Sequence, residues 1–382
     1  MKRALWLLAM LVALCLPARA LDLPDGLDGA VPQELLDTAQ EEGDLISRGA
    51  AYLWGCLTNA LHTALAGSVR AAVLLMLLAL LCGLIEGTAE PAGDMAARCT
   101  GYAGVLGAAA LAAGDLHSLI GLGVETVDEL SVMAKLLLPT VAAAVAGSGF
   151  VGTASVWQTG ALMLSDAFLS LIRGLFVPVL YCMIGVAAAG ALLPQSRLTL
   201  LADGIRKLLS WALSALLIVF TAFLSLSNLL AGSADRTAVR VGKTVISGAV
   251  PIVGGILSDA AETLLAGAGA LRGTLGTLGV FAVLAVCIVP LVRLALQYLL
   301  YRAAAFFCGM VGSDALRGFL EQLSSAFSLV LAMTAGGAFI LLAALIYSTT
   351  EVALKELGGA FAPMQVTVER VLLAAAALLP FA

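Results

Sequence analysis

The sequence predicts an all-α, polytopic integral membrane protein, because its composition is too apolar for a soluble fold and several apolar runs approach the length of membrane spans. Of the 382 residues, 61% are hydrophobic and 12% are charged, and the mean hydropathy is +1.05. An average soluble domain is about 45–50% apolar and about 25% charged. Because one span needs about 20 apolar residues, about six to nine spans would fit.

The N-terminus is typical of a cleavable signal peptide over residues 1–20. Lys2 and Arg3 form a positive region, and an apolar core follows from Ala4 to Leu16. Residues 18–20 read Ala-Arg-Ala, the small-x-small pattern that a signal peptidase accepts. Cleavage there would place the new N-terminus, Leu21, on the outer side of the membrane. An uncleaved first span is the alternative, although the core is short for a span.

The remaining chain is predicted to divide into five parts. Residues 21–68 form an acidic extracytoplasmic segment: Asp22 to Asp44 contains eight acidic residues and no basic one, and a stretch without Lys or Arg is easily translocated. We interpret Gln33 to Ile46, which could form a short amphipathic helix, as a solvated linker, with a partner-docking arm as the alternative. The other parts are a first group of membrane helices at 69–231, an amphipathic Gly/Pro-broken segment at 232–273, C-terminal membrane helices at 274–348 and a tail at 349–382.

The apolar runs are irregular. Leu208 to Leu230 and Ala326 to Tyr347 are the clearest spans, whereas others are short or contain proline, which removes a backbone donor and kinks a helix. The chain also has 40 glycines, and small residues let helices approach closely in lipid. This pattern favours a tightly packed bundle, with broken helices lining a path as the alternative. The prolines within or beside apolar runs are Pro139, Pro178, Pro251 and Pro290.

Basic residues give conflicting indications of orientation. The connections 194–207 and 232–243 each contain three Lys or Arg residues and one Asp, which favours the cytoplasmic side for both. One full span, Leu208 to Leu230, separates them, so the conflict stays open.

Two nucleotide-binding patterns occur by chance. Gly147, Gly149 and Gly152 match GxGxxG, but the motif follows an Ala-rich run instead of a strand, and the next acid comes too early. The triplet 242–244 resembles the end of a P-loop, yet the required first glycine is replaced by Thr237. Neither pattern predicts a nucleotide site.

The sequence also lacks the patterns typical of cysteine, histidine and nucleic-acid-binding sites. The seven cysteines form no CxxC pair, and free Cys in apolar runs behaves as a small hydrophobe. The two histidines, His62 and His117, lie far apart. A net charge of −5 with scattered basic residues argues against nucleic acid. We therefore predict no enzyme activity, no metal or other cofactor and no nucleic-acid partner.

Ionisable residues inside apolar runs are the stronger functional candidates, because a charge in the membrane is costly and marks a pathway or a buried pair. The alternative is that long basic side chains reach the interface. Asp166 and Arg173 lie two turns apart on one helical face, so they could pair with other helices. The candidate pathway or helix-pairing charges are Lys135, Asp166, Arg173 and Arg293.

The segment from Arg236 to Ile346 resembles the stage III sporulation protein AE family of endospore-forming bacteria. The likeness begins with a Pro-x-x-Gly-Gly-x-x-Ser-Asp motif at 251–259, continues through a glycine series and ends with a proline before the last long span. The signal peptide, the acidic start and the order of apolar runs also fit. These predicted structural or assembly residues are Pro251, Gly254, Gly255, Ser258, Asp259, Gly273, Gly276, Gly279 and Pro290.

The resemblance implies a role in sporulation. Proteins like this belong to a complex in the mother-cell membrane around the engulfed forespore, which is thought to form a channel or secretion-like conduit. It implies other stage III sporulation membrane proteins as partners besides the lipid bilayer, and self-association stays open. An autonomous secondary transporter or permease is the alternative function. An intramembrane enzyme has the least support.

Overall fold

The computed structural model describes residues 45–88, 94–147, 151–193, 198–249, 254–311 and 314–356. All elements in these ranges are helical, which confirms the predicted fold class. Seven α-helices and one π-helix follow in chain order: α1 Leu45–Thr88, α2 Asp94–Gly147, α3 Val151–Leu171, the π-helix Ile172–Phe176, α4 Val177–Leu192, α5 Leu198–Ala249, α6 Gly254–Val311 and α7 Asp314–Glu356.

Five helical stretches in the described ranges are long and apolar enough to cross a membrane, fewer than the six to nine that composition allows. Apolar stretches of this length need no water to satisfy their backbone, because helical hydrogen bonds do so internally. A shorter apolar stretch, Val73–Ile85, lies in α1. The five candidate spans are Cys99–Ala143, Gln158–Leu192, Leu198–Leu224, Gly276–Met310 and Asp314–Ile346.

The helices are more continuous than the sequence suggests. Pro139 lies inside α2 and Pro290 inside α6, and neither proline ends its helix. Two apolar runs that look separate in the sequence, 102–113 and 132–146, are parts of α2, because the polar residues between them are also helical. Helix α5 likewise runs through the predicted boundary at 231/232, and α6 runs through the one at 273/274.

The relative directions of the helices follow from their contacts. Helices α2 and α7 run parallel, since Gly123 faces Val330 and Leu130 faces Gly337. Helix α5 runs parallel to α7 as well, because Asp203 pairs with Gln322 three residues before Arg206 pairs with Ser325. Helix α3 runs antiparallel to α2, since Lys135 pairs with Asp166 and the earlier Asp128 with the later Arg173. Helix α6 also runs antiparallel to α2, because Asp115 contacts Gln297 whereas Leu137 lies near Gly279.

Small residues form much of the helix contacts. The main core contains residues of every element from α2 through α7. A second cluster packs α1 against α2, α6 and α7 at one end of the bundle. Ala108, Ala161, Ala202 and Ala344 are completely buried. In lipid, packing has to replace the hydrophobic effect between helices, and small side chains allow the closest approach.

The π-helix Ile172–Phe176 precedes Pro178, which stands in the first turn of α4. Proline cannot donate to the carbonyl four residues earlier and clashes with it. The N–H of Val177 instead donates to the carbonyl of Ile172, five residues back. This wider turn leaves room for the proline ring and keeps the preceding carbonyl hydrogen-bonded, so the helix continues across the membrane.

Several predicted features lie outside the described residues. They include the signal peptide at 1–20, the acidic stretch up to residue 44, Pro251, and the tail beyond residue 356. Those predictions, like the division into parts, remain predictions.

We expect Gly123→Ala to destabilise the protein. A Cβ at Gly123 would lie 2.7 Å from Val330 Cγ1, closer than packed atoms approach. Forcing a methyl into such a contact costs about 1–3 kcal/mol. The midpoint of thermal unfolding in mild detergent should fall.

Gly121→Ala is the matched control, two residues away on the same helix. No atom lies within 4 Å of a Cβ at Gly121, so its midpoint should not fall. Equal losses in both variants would contradict the close approach of α2 to α7.

Candidate functional site

The membrane depth of the charged residues can be read from α7. From Gln322 to Thr350, α7 has no Asp, Glu, Lys or Arg, a length of about 43 Å that exceeds the hydrocarbon core of about 30 Å. The middle of this stretch, at Gly336 and Gly337, lies against Phe168 and Leu130. Charged residues close to 130 on α2 and 168 on α3 are therefore near the middle of the membrane.

Two ion pairs join α2 to the neighbouring antiparallel helix at this depth. Lys135 Nζ lies 3.8 Å from Asp166 Oδ1, and the Arg173 guanidinium pairs with the Asp128 carboxylate. The two α2 residues are seven positions apart, as are their two partners, so both pairs stand about 10 Å apart along the helices. We call these four residues the charge ladder.

The two pairs of the charge ladder are oriented in opposite senses: α2 supplies the base in one pair and the acid in the other. Helix α2 supplies an acid and a base, and the opposite helix supplies the complements in reverse order. Sliding the helices by one turn, or reversing one of them, would bring like charges together or leave charges unpaired, and unpaired charges in lipid are costly. The charge ladder therefore fixes the register of α2 against α3 and the π-helix.

The ladder lies on the surface of the bundle. The side chains of Lys135 and Asp166 are 65% and 63% exposed, and those of Arg173 and Asp128 are 44% and 48% exposed. Because hydrocarbon cannot solvate a charge, water or another protein segment must cover this surface in the membrane.

Three of the four sequence-predicted charges thus come together, and the fourth does not. Arg293 is half-buried on α6, and no carboxylate in the described part of the chain forms an ion pair with it. Sequence reasoning missed Asp128. Its spacing of seven from Lys135, equal to that of Asp166 and Arg173, was the signal that could have found it.

A polar layer lies towards the end of the bundle where α7 begins. The Asp115 carboxylate accepts hydrogen bonds from Gln297 Nε2 at 2.8 Å and from the Tyr301 hydroxyl at 3.3 Å. Gln297 and Tyr301 are 4% and 1% exposed, so this carboxylate satisfies two buried donors. The contact ties α2 to α6.

The same layer ties α5 to α7. Gln322 Nε2 donates to Asp203 Oδ1 at 2.8 Å, and Arg206 donates to the Ser325 hydroxyl at 3.2 Å. On α6, Arg302 donates to the Tyr298 hydroxyl at 3.0 Å. Polar and aromatic residues collected at one level are typical of a membrane–water interface.

The predicted assembly motif is only partly described. Helix α6 begins with Gly254 and Gly255 and contains Ser258, Asp259 and Gly273. Further along α6, Gly276, Gly279 and Pro290 are buried. A Cβ at Gly279 would lie 3.2 Å from Leu345 and 3.6 Å from Leu137, so this glycine lies where α2, α6 and α7 meet. The assembly role itself stays a prediction.

The described cysteines and acidic side chains form no disulfide and no metal cluster within the described ranges. The six described cysteines are free thiols. In the described ranges, no group of three or more His, Cys, Asp or Glu side chains could hold a metal ion.

We expect Arg173→Gln to destabilise the protein, because it leaves Asp128 without its counter-ion at membrane depth. Polar contacts between membrane helices contribute about 0.6–2 kcal/mol. The exchanged variant, Asp128→Arg with Arg173→Asp, should recover most of the lost thermal stability in detergent. Arg302→Gln is the control, with a small expected change. Failure of the exchange to recover stability would contradict the pairing.

We expect Asp115→Leu to cost about 1–3 kcal/mol, the penalty for leaving buried donors unsatisfied. Gln297→Leu in the same chain should restore part of the loss, because it removes one of those donors. Thermal unfolding of the single and double variants would measure this coupling. Strictly additive losses would show that Asp115 and Gln297 do not interact.

Comparison with known proteins identifies the family. The family model described as Stage III sporulation protein AE (spore_III_AE) matches residues 34–350. The Bacillus subtilis (strain 168) protein named Stage III sporulation protein AE is 21% identical over 195 residues, 51% of this chain and 49% of that protein. The matched region thus spans about half the length of that curated relative. No solved structure matches significantly. With most of its length matched by the family model, the chain belongs to the stage III sporulation protein AE family.

Proposed function

We propose that this protein is a membrane-embedded structural subunit of a channel or secretion-like complex between the mother cell and the forespore, required for endospore development. The observation that carries the proposal is the family match over residues 34–350. Together with the membrane-spanning helices, it supports a multi-pass membrane protein of sporulating cells. The proposed location is the mother-cell membrane around the forespore.

The surface of the bundle supports a role within a larger assembly. The charge ladder joins two neighbouring helices and remains 44–65% exposed at membrane depth. A protein that works alone in lipid gains nothing from charges on its hydrocarbon-facing surface, whereas a subunit can cover them with a neighbour or with a shared aqueous path. The partners that we propose are other stage III sporulation membrane proteins.

We further propose that the subunit has no catalytic role. The four charges of the charge ladder pair with each other across helices, an arrangement that positions helices. We assign the charge ladder to helix register and the polar layer to the membrane boundary.

An autonomous transporter is the competing function, and the charges at membrane depth are the observation that favours it. Purified protein in liposomes would then take up substrate, and Asp166→Asn or Lys135→Met would abolish uptake. Inert liposomes count against this function.

The subunit role predicts stable companions. Tagged protein captured from sporulating cells in mild detergent should bring down other stage III sporulation membrane proteins, identified by mass spectrometry. A sample from vegetative cells expressing the same tagged chain is the control. Deletion of the gene should arrest forespore development. Capture of the protein alone, together with normal spores after deletion, would overturn the proposal.

A further inference from the structure

One face of α2 is exposed along its whole path through the membrane. Its members recur every three or four positions, which places them on one side of the helix. The face combines small, acidic and apolar residues, and we call it the α2 strip. Its exposed residues are Gly114, Ser118, Gly121, Glu125, Glu129, Val132 and Leu136.

Glu125 and Glu129 are at membrane depth. Both lie between Gly123, which faces Thr334, and Leu130, which faces Gly337. Those contacts are near the middle of the uncharged stretch of α7. An isolated carboxylate there is strongly disfavoured in hydrocarbon.

These two acids differ from the charge ladder at the same depth. The charge ladder pairs each of its acids with a base, whereas neither Glu125 nor Glu129 makes a hydrogen bond or ion pair with another side chain in the described ranges. The surface formed by the α2 strip and the adjoining charge ladder therefore has two acids in excess. A protein surface that covers it is complementary if it supplies positive charge.

A second copy of the chain does not supply it. Copies of a membrane protein share one orientation, so a symmetry axis along the membrane normal keeps each residue at its own depth. Packing the α2 strip against itself would place Glu125 and Glu129 opposite their own copies. Among the side chains that the structure describes near this depth, Lys135 and Arg173 are already paired, Arg48 has an interaction of its own, and Arg293 is half-buried.

The shape of the α2 strip suits a helix. A Cβ at Gly114 or Gly121 would meet no atom within 4 Å, so another backbone can approach closely there. Val132 and Leu136 continue the strip as an apolar surface.

We propose that the α2 strip is the docking surface for a transmembrane helix of a partner protein, and that this helix bears a basic side chain near the middle of the membrane, which pairs with Glu125 and Glu129. The inference deepens the proposed subunit role and rests on it, since it gives the chemistry by which a partner is recognised.

The test uses the purified full-length chain in phosphatidylcholine vesicles. The probe is a synthetic helix of about 20 Leu and Ala residues with one central Arg, and the comparison peptide has Gln at that position. A photoreactive p-benzoylphenylalanine replaces Leu136, two turns from Glu129 on the same strip, or Leu80 on the exposed side of α1 as the control position. Crosslinked peptide is quantified after illumination.

We expect position 136 to capture the Arg peptide about tenfold better than the Gln peptide, a difference of about 1.4 kcal/mol. Position 80 should show no preference. Glu125→Gln with Glu129→Gln should remove the preference, whereas Glu321→Gln, which alters a carboxylate paired with Arg317 near the start of α7, should retain it.

Several results would overturn the docking surface: equal capture of both peptides at position 136, an equal Arg preference at position 80, or an unchanged preference in the double variant. Preferential crosslinking of the chain to its own copies would assign the strip to self-association. The assay needs no sporulating cell, so its failure would remove the docking surface and leave the subunit role to be judged by the capture experiment.

Discussion

Hydrocarbon cannot form hydrogen bonds, and the rest of this structure depends on that property of its solvent. Backbone groups in the membrane must be satisfied within each segment, so the helices continue through prolines that would end a helix in water. The hydrophobic effect does not drive association between helices in lipid. Close packing has that role, and completely buried alanines lie at the helix contacts. Each polar side chain inside the bundle then needs a partner of its own.

Polar contacts occur at two levels with different consequences. Near the start of α7, Asp115 and Asp203 connect pairs of helices through neutral donors. Deeper, full charges on α2 face full charges on α3 and the π-helix, where an unpaired charge is costly. The shallow contacts hold α2 to α6 and α5 to α7, and the deep contacts hold α2 to α3 and the π-helix.

Composition was sufficient to predict the helical membrane fold, because no other solvent suits so apolar a chain. Helix ends were harder to predict: residues 114–131 look like a connection in the sequence, but Asp115 and Asp128 meet partners on neighbouring helices, which no local pattern reveals. Lys135, Asp166 and Arg173 were found from the cost of charge in lipid. Asp128 was missed because its neighbours Glu125 and Glu129 make the segment look water-exposed, and Arg293 was grouped with residues that it does not contact.

The π-helix before Pro178 restricts the chain length in this region. The wide turn holds one residue more than a regular turn, so the sequence positions that face the bundle shift by about 100° after it. The sequence patterns of the packing faces of α3 and α4 are therefore offset, although the helical stretch Gln158–Leu192 is continuous. A deletion of one residue between 172 and 176 would convert the wide turn to a regular one and leave the packing face of α4, with Leu180 and Met183, towards the core. It would also bring the ring of Pro178 against the carbonyl four residues earlier. The extra residue therefore accommodates the proline without changing the packing face.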